Sequence, residues 1–127
     1  MSKKAALTSE VSTMKSSSAI SIARVGSRTV LAPKKSLTYE NREELQATFD
    51  ECINQQRSDI ILDCKAVGYM DSEALELVVR MHEELRNQGN LLKIIGLNDV
   101  CRDIFYATRL IHLHVYEDIH EAIRSER

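Results

Sequence analysis

Two rhythms of apolar residues alternate along the chain. "AISIARVGSRTVLAP", residues 19 to 33, holds two short β-branched runs around Gly26 and Ser27, a dipeptide suited to a tight hairpin turn, and Pro33 ends the second run. From Tyr39 to Gln56, Leu45, Phe49, Cys52 and Ile53 recur at steps of four, three and one, the stripe of an amphipathic helix. Thr38 or Asn41 is placed to cap that helix, and Asn41 with Glu44 resembles a capping box. "DIILDC", residues 59 to 64, is an apolar run bounded by polar residues and predicts a buried central strand.

A second helix is predicted from Ser72. On a helical wheel Ala74, Leu77, Val78, Met81 and Leu85 gather on one face, opposed by Glu73, Glu76, Arg80, Glu83 and Asn87, and Gly89 supplies a carboxyl cap. "LLKIIGL" predicts another buried strand, "DVCRDIFYATRL" a short helix capped by Asn98 or Asp99, "HLHVY" a strand and "EDIHEAIRSER" a last helix. The order β-β-α-β-α-β-α-β-α predicts an α/β fold: a mixed sheet of about five strands, its later strands parallel, with four covering helices.

Composition narrows the function. At 127 residues the chain is long enough for one domain with a real core, and a net charge of −2 offers no field to attract nucleic acid or acidic lipid. Cys52, Cys64 and Cys101 are widely spaced, with no CxxC pair, a usage that suits a reducing cytosol. "MSKKAALTSEVSTMKSSS" has no apolar block of the signal-peptide kind, and no segment approaches the roughly 18 apolar residues of a membrane span, so a soluble cytoplasmic protein is expected. Residues 1–18, rich in Ser, Thr and Lys, are expected to form a flexible tail, with the domain running from 19 to 127.

Enzyme chemistry has little support. The glycines, at 26, 68, 89 and 96, form neither GxGxxG nor GxxxxGK[ST], so no phosphate cradle is predicted. His112 and His114 share a strand face, but nearby sequence implies no third metal ligand, and no metal or cofactor is expected. His82 flanks its helix's apolar face with no nucleophile spaced to partner it. Asp63 stands where receiver domains carry a phosphate-accepting aspartate, yet "RVGSR" and "HVYEDI" lack the acid pair and lysine of such a site. A small enzyme using Asp63, Asp71 or His82 would require a cleft where two of them converge.

The remaining candidate is "GYMDSEALELVV", residues 68 to 79, where an acid and a hydroxyl stand at a strand-to-helix junction. Asp71 is a preferred helix cap, worth about 1 kcal/mol, and Ser72 can be read as the neighbour of a cap on an inert domain. If Asp71 caps, however, the Ser72 hydroxyl is not needed there and is free to point outward, beside Leu75 and Val79 on the border of the core face. A phosphate on Ser72 would meet the free amides of the helix end, but would add about −1.5 to −2 charge next to Asp71, Glu73 and Glu76.

"IILDCKAVGYMDSEALELVVRMHEELRNQGNLLKIIGLNDVCRDIFYATRLIHLHVYEDIHEAI" resembles the STAS domain of bacterial anti-sigma-factor antagonists, and the likeness extends over roughly residues 19 to 125. "YMDSEAL" stands where family members commonly have Asp-Ser-Ser-Gly-Leu, and "ATRLIHLHVYEDIHEAI" matches their closing Thr, Leu, strand and Glu-Ala helix. The resemblance implies that Ser72 is phosphorylated by a partner that is both an ATP-binding serine kinase and an anti-sigma factor, that a metal-dependent serine phosphatase reverses this, and that Asp71 orients the acceptor. It implies partner switching: the unmodified protein binds the anti-sigma kinase and frees a sigma factor, and phosphorylation breaks the complex. Ser72, Glu73, Leu75, Glu76 and Val79 are the expected partner contacts. The same switch could serve a non-sigma target, such as a biofilm or secretion regulator or a stressosome-like scaffold. Two departures bear on which partner is bound: Glu73 and Ala74 replace the usual Ser-Gly pair, and "PKKSLTYEN" lacks the Gly-x-Leu-Asp turn after the second strand.

Overall fold

Gly26 takes a positive φ of 64°, and with Ser27 it reverses the chain between β2 (Ile20–Val25) and β3 (Arg28–Pro33), whose ends pair as Val25 with Arg28. Glycine at the first central position is what a two-residue turn of the II′ kind requires. The structure, a computed structural model, describes residues 11–16, 19–55, 58–110 and 113–125. From this hairpin the sheet grows outward. β4 (Ile60–Asp63), β5 (Leu92–Ile95) and β6 (His114–Tyr116) add to β3 in parallel, each joined to the next through a helix.

The five strands and four helices stand in the expected order, and β1 (Val11–Ser16) adds a sixth strand to the edge. β1 comes from the stretch expected to be a flexible tail; it pairs antiparallel with β2, Val11 opposite Val25 and Ser16 opposite Ser21, with a bulge between Thr13 and Lys15. Main-chain pairing to an open edge does not depend on an apolar face, which is why a polar composition did not announce it. Residues 1–10 lie outside the described residues.

Strand order follows chain order, so successive right-handed crossovers place α1 (Arg42–Gln55), α2 (Ser72–Asn87) and α3 (Asp99–Ala107) on the same face of the sheet. There Leu45, Phe49, Ala74, Val78, Met81 and Phe105 bury against Ile22, Leu31, Leu62 and Ile94. The opposite face is covered by α4 (Ile119–Arg124), whose Ala122, Ile119 and Ile123 meet Val30, Ile61 and Ile95. Ile60 and Leu62 join one cluster and Ile61 the other, the period-two alternation of a strand buried on both sides.

Two helix ends behave as expected. Asn98 accepts from the Cys101 N–H at 2.7 Å, and after α2 Gly89, at φ +81°, closes a Schellman turn in which Asn90 N–H reaches Leu85 O at 2.8 Å. The structure adds a cap to α4, where Asp118 Oδ1 accepts from the Glu121 N–H at 2.9 Å. α1 departs from expectation. It starts at Arg42, and the Asn41 carboxamide turns back to accept from Thr38 N–H at 2.9 Å and to donate to Ser36 O at 2.7 Å, bracing the loop before the helix instead of forming a capping box.

Candidate functional site

The segment between β4 and α2 is held from two sides. Val67 and Met70 are buried beneath it, and Met70 forms an isolated parallel bridge with Leu37 of the β3–α1 loop. Leu37 N–H donates to Tyr69 O at 3.0 Å, and Asp71 N–H donates to Leu37 O at 3.1 Å. On the other side, Asn98 Nδ2 donates to Gly68 O at 3.3 Å, and the Cys101 thiol lies 3.6 Å from Val67 O. The α2 amino terminus is thus fixed by three loops meeting at the carboxyl ends of the parallel strands.

Asp71 uses both carboxylate oxygens. Oδ1 accepts from the Ala74 N–H at 3.0 Å, the capping bond of α2, and Oδ2 accepts from the Tyr39 N–H at 2.8 Å. Ser72, the first helical residue, is exposed, and its hydroxyl makes no hydrogen bond among the described residues. The hydroxyl is therefore dispensable for the cap, as its position one residue past Asp71 predicts.

Ser72 borders an open groove of about 340 Å³ that is also lined by Leu75, Glu76, Val79, Thr108 and Leu110. Of the expected partner contacts, Ser72, Leu75, Glu76 and Val79 meet at this groove; Glu73 is exposed beside it but does not line it. The Ala74 methyl is buried in the core, so of the two residues that follow Ser72 only Glu73 alters the outer surface.

Thr108 and Leu110 were not among the expected contacts. They belong to the Schellman turn that ends α3: Thr108 donates its hydroxyl to Ile104 O at 2.7 Å, Leu110 N–H donates to Phe105 O at 2.7 Å, and Arg109 between them sits at φ +63°. Tyr39 and Tyr69, 66% and 49% exposed, do not line the groove; they ride on the two loops joined by Asp71 and the Leu37–Met70 bridge.

The other candidates are held apart from the groove. Asp63 is ion-paired with Lys65 at 3.0 Å and accepts its backbone N–H at 3.1 Å. The His82 ring lies beside that of His114, centroids 6.0 Å apart and planes tilted by 48°, while His112 lies outside the described residues. Among the described residues no three of His, Cys, Asp or Glu are grouped to hold a metal ion. Burial raises the thiol pKa of Cys64 and Cys101, Cys64 further through Cys101 and Asp63 beside it, and the same effect, with Glu51, lifts Cys52 to about 11. All three are neutral packing groups at ordinary pH.

Comparisons with known proteins bear on the fold and the family. The model of the STAS domain family matches residues 19–122. A candidate anti-sigma factor antagonist of Thermotoga maritima is 25% identical, with a TM-score of 0.71 over 78% of this chain and 86% of its own. The phosphorylated form of the Bacillus cell fate determinant SpoIIAA is 21% identical, with a TM-score of 0.66 over 83% of this chain and 96% of its own. The murine anion transporter Slc26a9 shares the fold in part of its chain: 17% identity and a TM-score of 0.64, covering 79% of this chain and 18% of the transporter. Curated protein sequences give no match. Among the described residues no helix is long and apolar enough to cross a membrane.

Proposed function

The chain belongs to the STAS domain family, and from that membership we propose that it is an anti-sigma-factor antagonist acting by partner switching, with Ser72 as the phosphorylated residue. The unmodified protein binds an anti-sigma factor that is also a serine kinase, and a sigma factor is released. The kinase then transfers the γ-phosphoryl group of ATP to Ser72 Oγ, whose proton is lost as ADP leaves, and the complex separates. A serine phosphatase hydrolyses the ester and restores the hydroxyl. The chain is a substrate and a binding module in this cycle, not its catalyst, and the cycle belongs to the cytoplasm.

One observation carries the reading: an exposed, uncommitted hydroxyl sits on the lip of an apolar groove while its neighbour Asp71 carries the whole task of capping. A dianion placed there would stand beside Asp71, Glu73 and Glu76, and a docked surface would have to desolvate it. Incubation of the purified chain and its Ser72→Ala form with candidate anti-sigma kinases and ATP tests this. Incorporation of one phosphate into the parent and none into Ser72→Ala is expected; labelling that survives the substitution rejects Ser72.

A second reading keeps the switch and changes the output to a non-sigma target. It is favoured by Glu73, which puts a charge on the surface directly after the acceptor. Side-by-side capture with Ser72→Ala and Ser72→Asp forms separates the two, since a sigma-binding kinase retained only by the alanine form supports the first.

A further inference from the structure

The groove beside the acceptor has a chemistry of its own, and we propose that it is a socket for one aliphatic or aromatic side chain of a partner segment that carries Lys or Arg next to that anchor. This rests on reading the α2 amino end as a docking surface, and it specifies what docks. Leu75 and Val79 from α2 and Leu110 from the turn after α3 supply apolar walls, and the space of about 340 Å³ has ample room for a large apolar anchor. Burying such an anchor is worth roughly tenfold to a hundredfold in affinity.

Charge selects the occupant. Glu76 lines the groove, and Asp71 and Glu73 stand at the same end of α2; the nearby cations, Arg80 and Arg109, lie farther along the helix and in the opposite turn. An acyl chain with a carboxylate or phosphate head would bring an anion to that acidic rim, and a second copy of the chain would press the same rim against itself. A peptide with a cation beside its anchor is complementary. Thr108 and Leu110 then become specificity residues that touch the partner from the side opposite Ser72.

The test is selection of a phage-displayed random peptide library on the full, unmodified chain. The expected consensus is a Leu, Ile, Met, Phe or Trp flanked by Lys or Arg. Binding of the enriched peptides should fall about tenfold or more on Val79→Glu and on Thr108→Lys and be unchanged on Glu83→Ala, while selection on Glu76→Lys should lose the basic preference. Should Val79→Glu fail to fold, Thr108→Lys decides, because that side chain is exposed. No enrichment, a consensus without an apolar anchor, or undiminished binding to Thr108→Lys overturns the proposal. No kinase enters the experiment, so a Ser72 that is never phosphorylated leaves its outcome standing, and a failed selection leaves phosphoryl transfer to Ser72 intact.

Discussion

Asp71 grips the backbone of Tyr39 across 32 residues of chain, Oδ2 accepting from the Tyr39 N–H at 2.8 Å while Oδ1 caps α2. A cap residue with one oxygen would fix a helix end; this one also fixes where the β3–α1 loop stands against it. Asp71→Asn retains one acceptor and turns an NH₂ group toward the second N–H, and Asp71→Ala removes both acceptors. Losses of about 1 and about 2 kcal/mol respectively are expected in urea unfolding, with faster hydrogen exchange at the Tyr39 amide in both.

Ser72→Ala should behave oppositely. Its hydroxyl is exposed and unengaged, so the unfolding free energy is expected to change by less than about 0.5 kcal/mol, while phosphate acceptance is abolished. A loss above about 1 kcal/mol would show that the hydroxyl supports the helix end and would restore the reading of Ser72 as an ordinary cap neighbour.

Arg109 occupies the left-handed position of the turn after α3, at φ +63°, where a Cβ is strained and glycine is not. Arg109→Gly is therefore expected to stabilise the fold by about 0.5 kcal/mol, the relief of strain exceeding the added entropy of the unfolded chain. The measurement is the urea midpoint at constant m-value. A destabilised variant would mean that the arginine side chain contributes more than its backbone costs.

Local pattern carried much of this fold. The wheel over Ser72–Asn87 identified its buried face, and Asp71, Asn98 and Gly89 announced helix ends because capping is decided within a few residues. What pattern could not carry was contact between distant stretches. Thr108 and Leu110 face Ser72 only because α3 packs beside α2, and Tyr39 meets Asp71 only because two loops cross at the sheet end. Lys93 stands within the apolar strand β5. It is 2% exposed, and its Nζ donates to Ala122 O at 2.8 Å and Ser125 O at 3.4 Å, holding the carboxyl end of α4 against the second face of the sheet.

The buried thiols give the fold a dependence on alkaline pH. Cys52 is lifted by burial from 9.0 to about 11, and Cys64 is raised as well, so the native state keeps protons that the unfolded chain releases. Their contribution is complete below about pH 9 and is lost as pH rises toward and through the folded values, at roughly 1 kcal/mol per pH unit for each thiol. Urea midpoints measured from about pH 8 to pH 10.5 should therefore fall less steeply for Cys52→Ala than for the parent, and thiol reagents should label the native protein slowly at pH 8.

Gly96 lies where β5 leaves the sheet, and it shows how tightly the loop to Ser72 is built. A Cβ at Gly96 would stand 3.1 Å from Lys65 N and 3.3 Å from Lys65 Cα, both backbone atoms, and its φ is +76°. Gly26 shares the positive φ, at +64°, but has nothing within 4 Å, so the two positions separate conformational strain from close approach. Gly26→Ala is expected to cost about 1 kcal/mol, from the backbone alone. Gly96→Ala adds the clash and should cost about 2–4 kcal/mol, because the residue it displaces, Lys65, starts the segment that carries Tyr69, Asp71 and Ser72. Chemical-shift changes at Ser72 and Leu75 in Gly96→Ala, absent in Gly26→Ala, would show the displacement reaching the groove; equal costs for the two variants would mean that the Lys65 segment yields freely and does not position the acceptor.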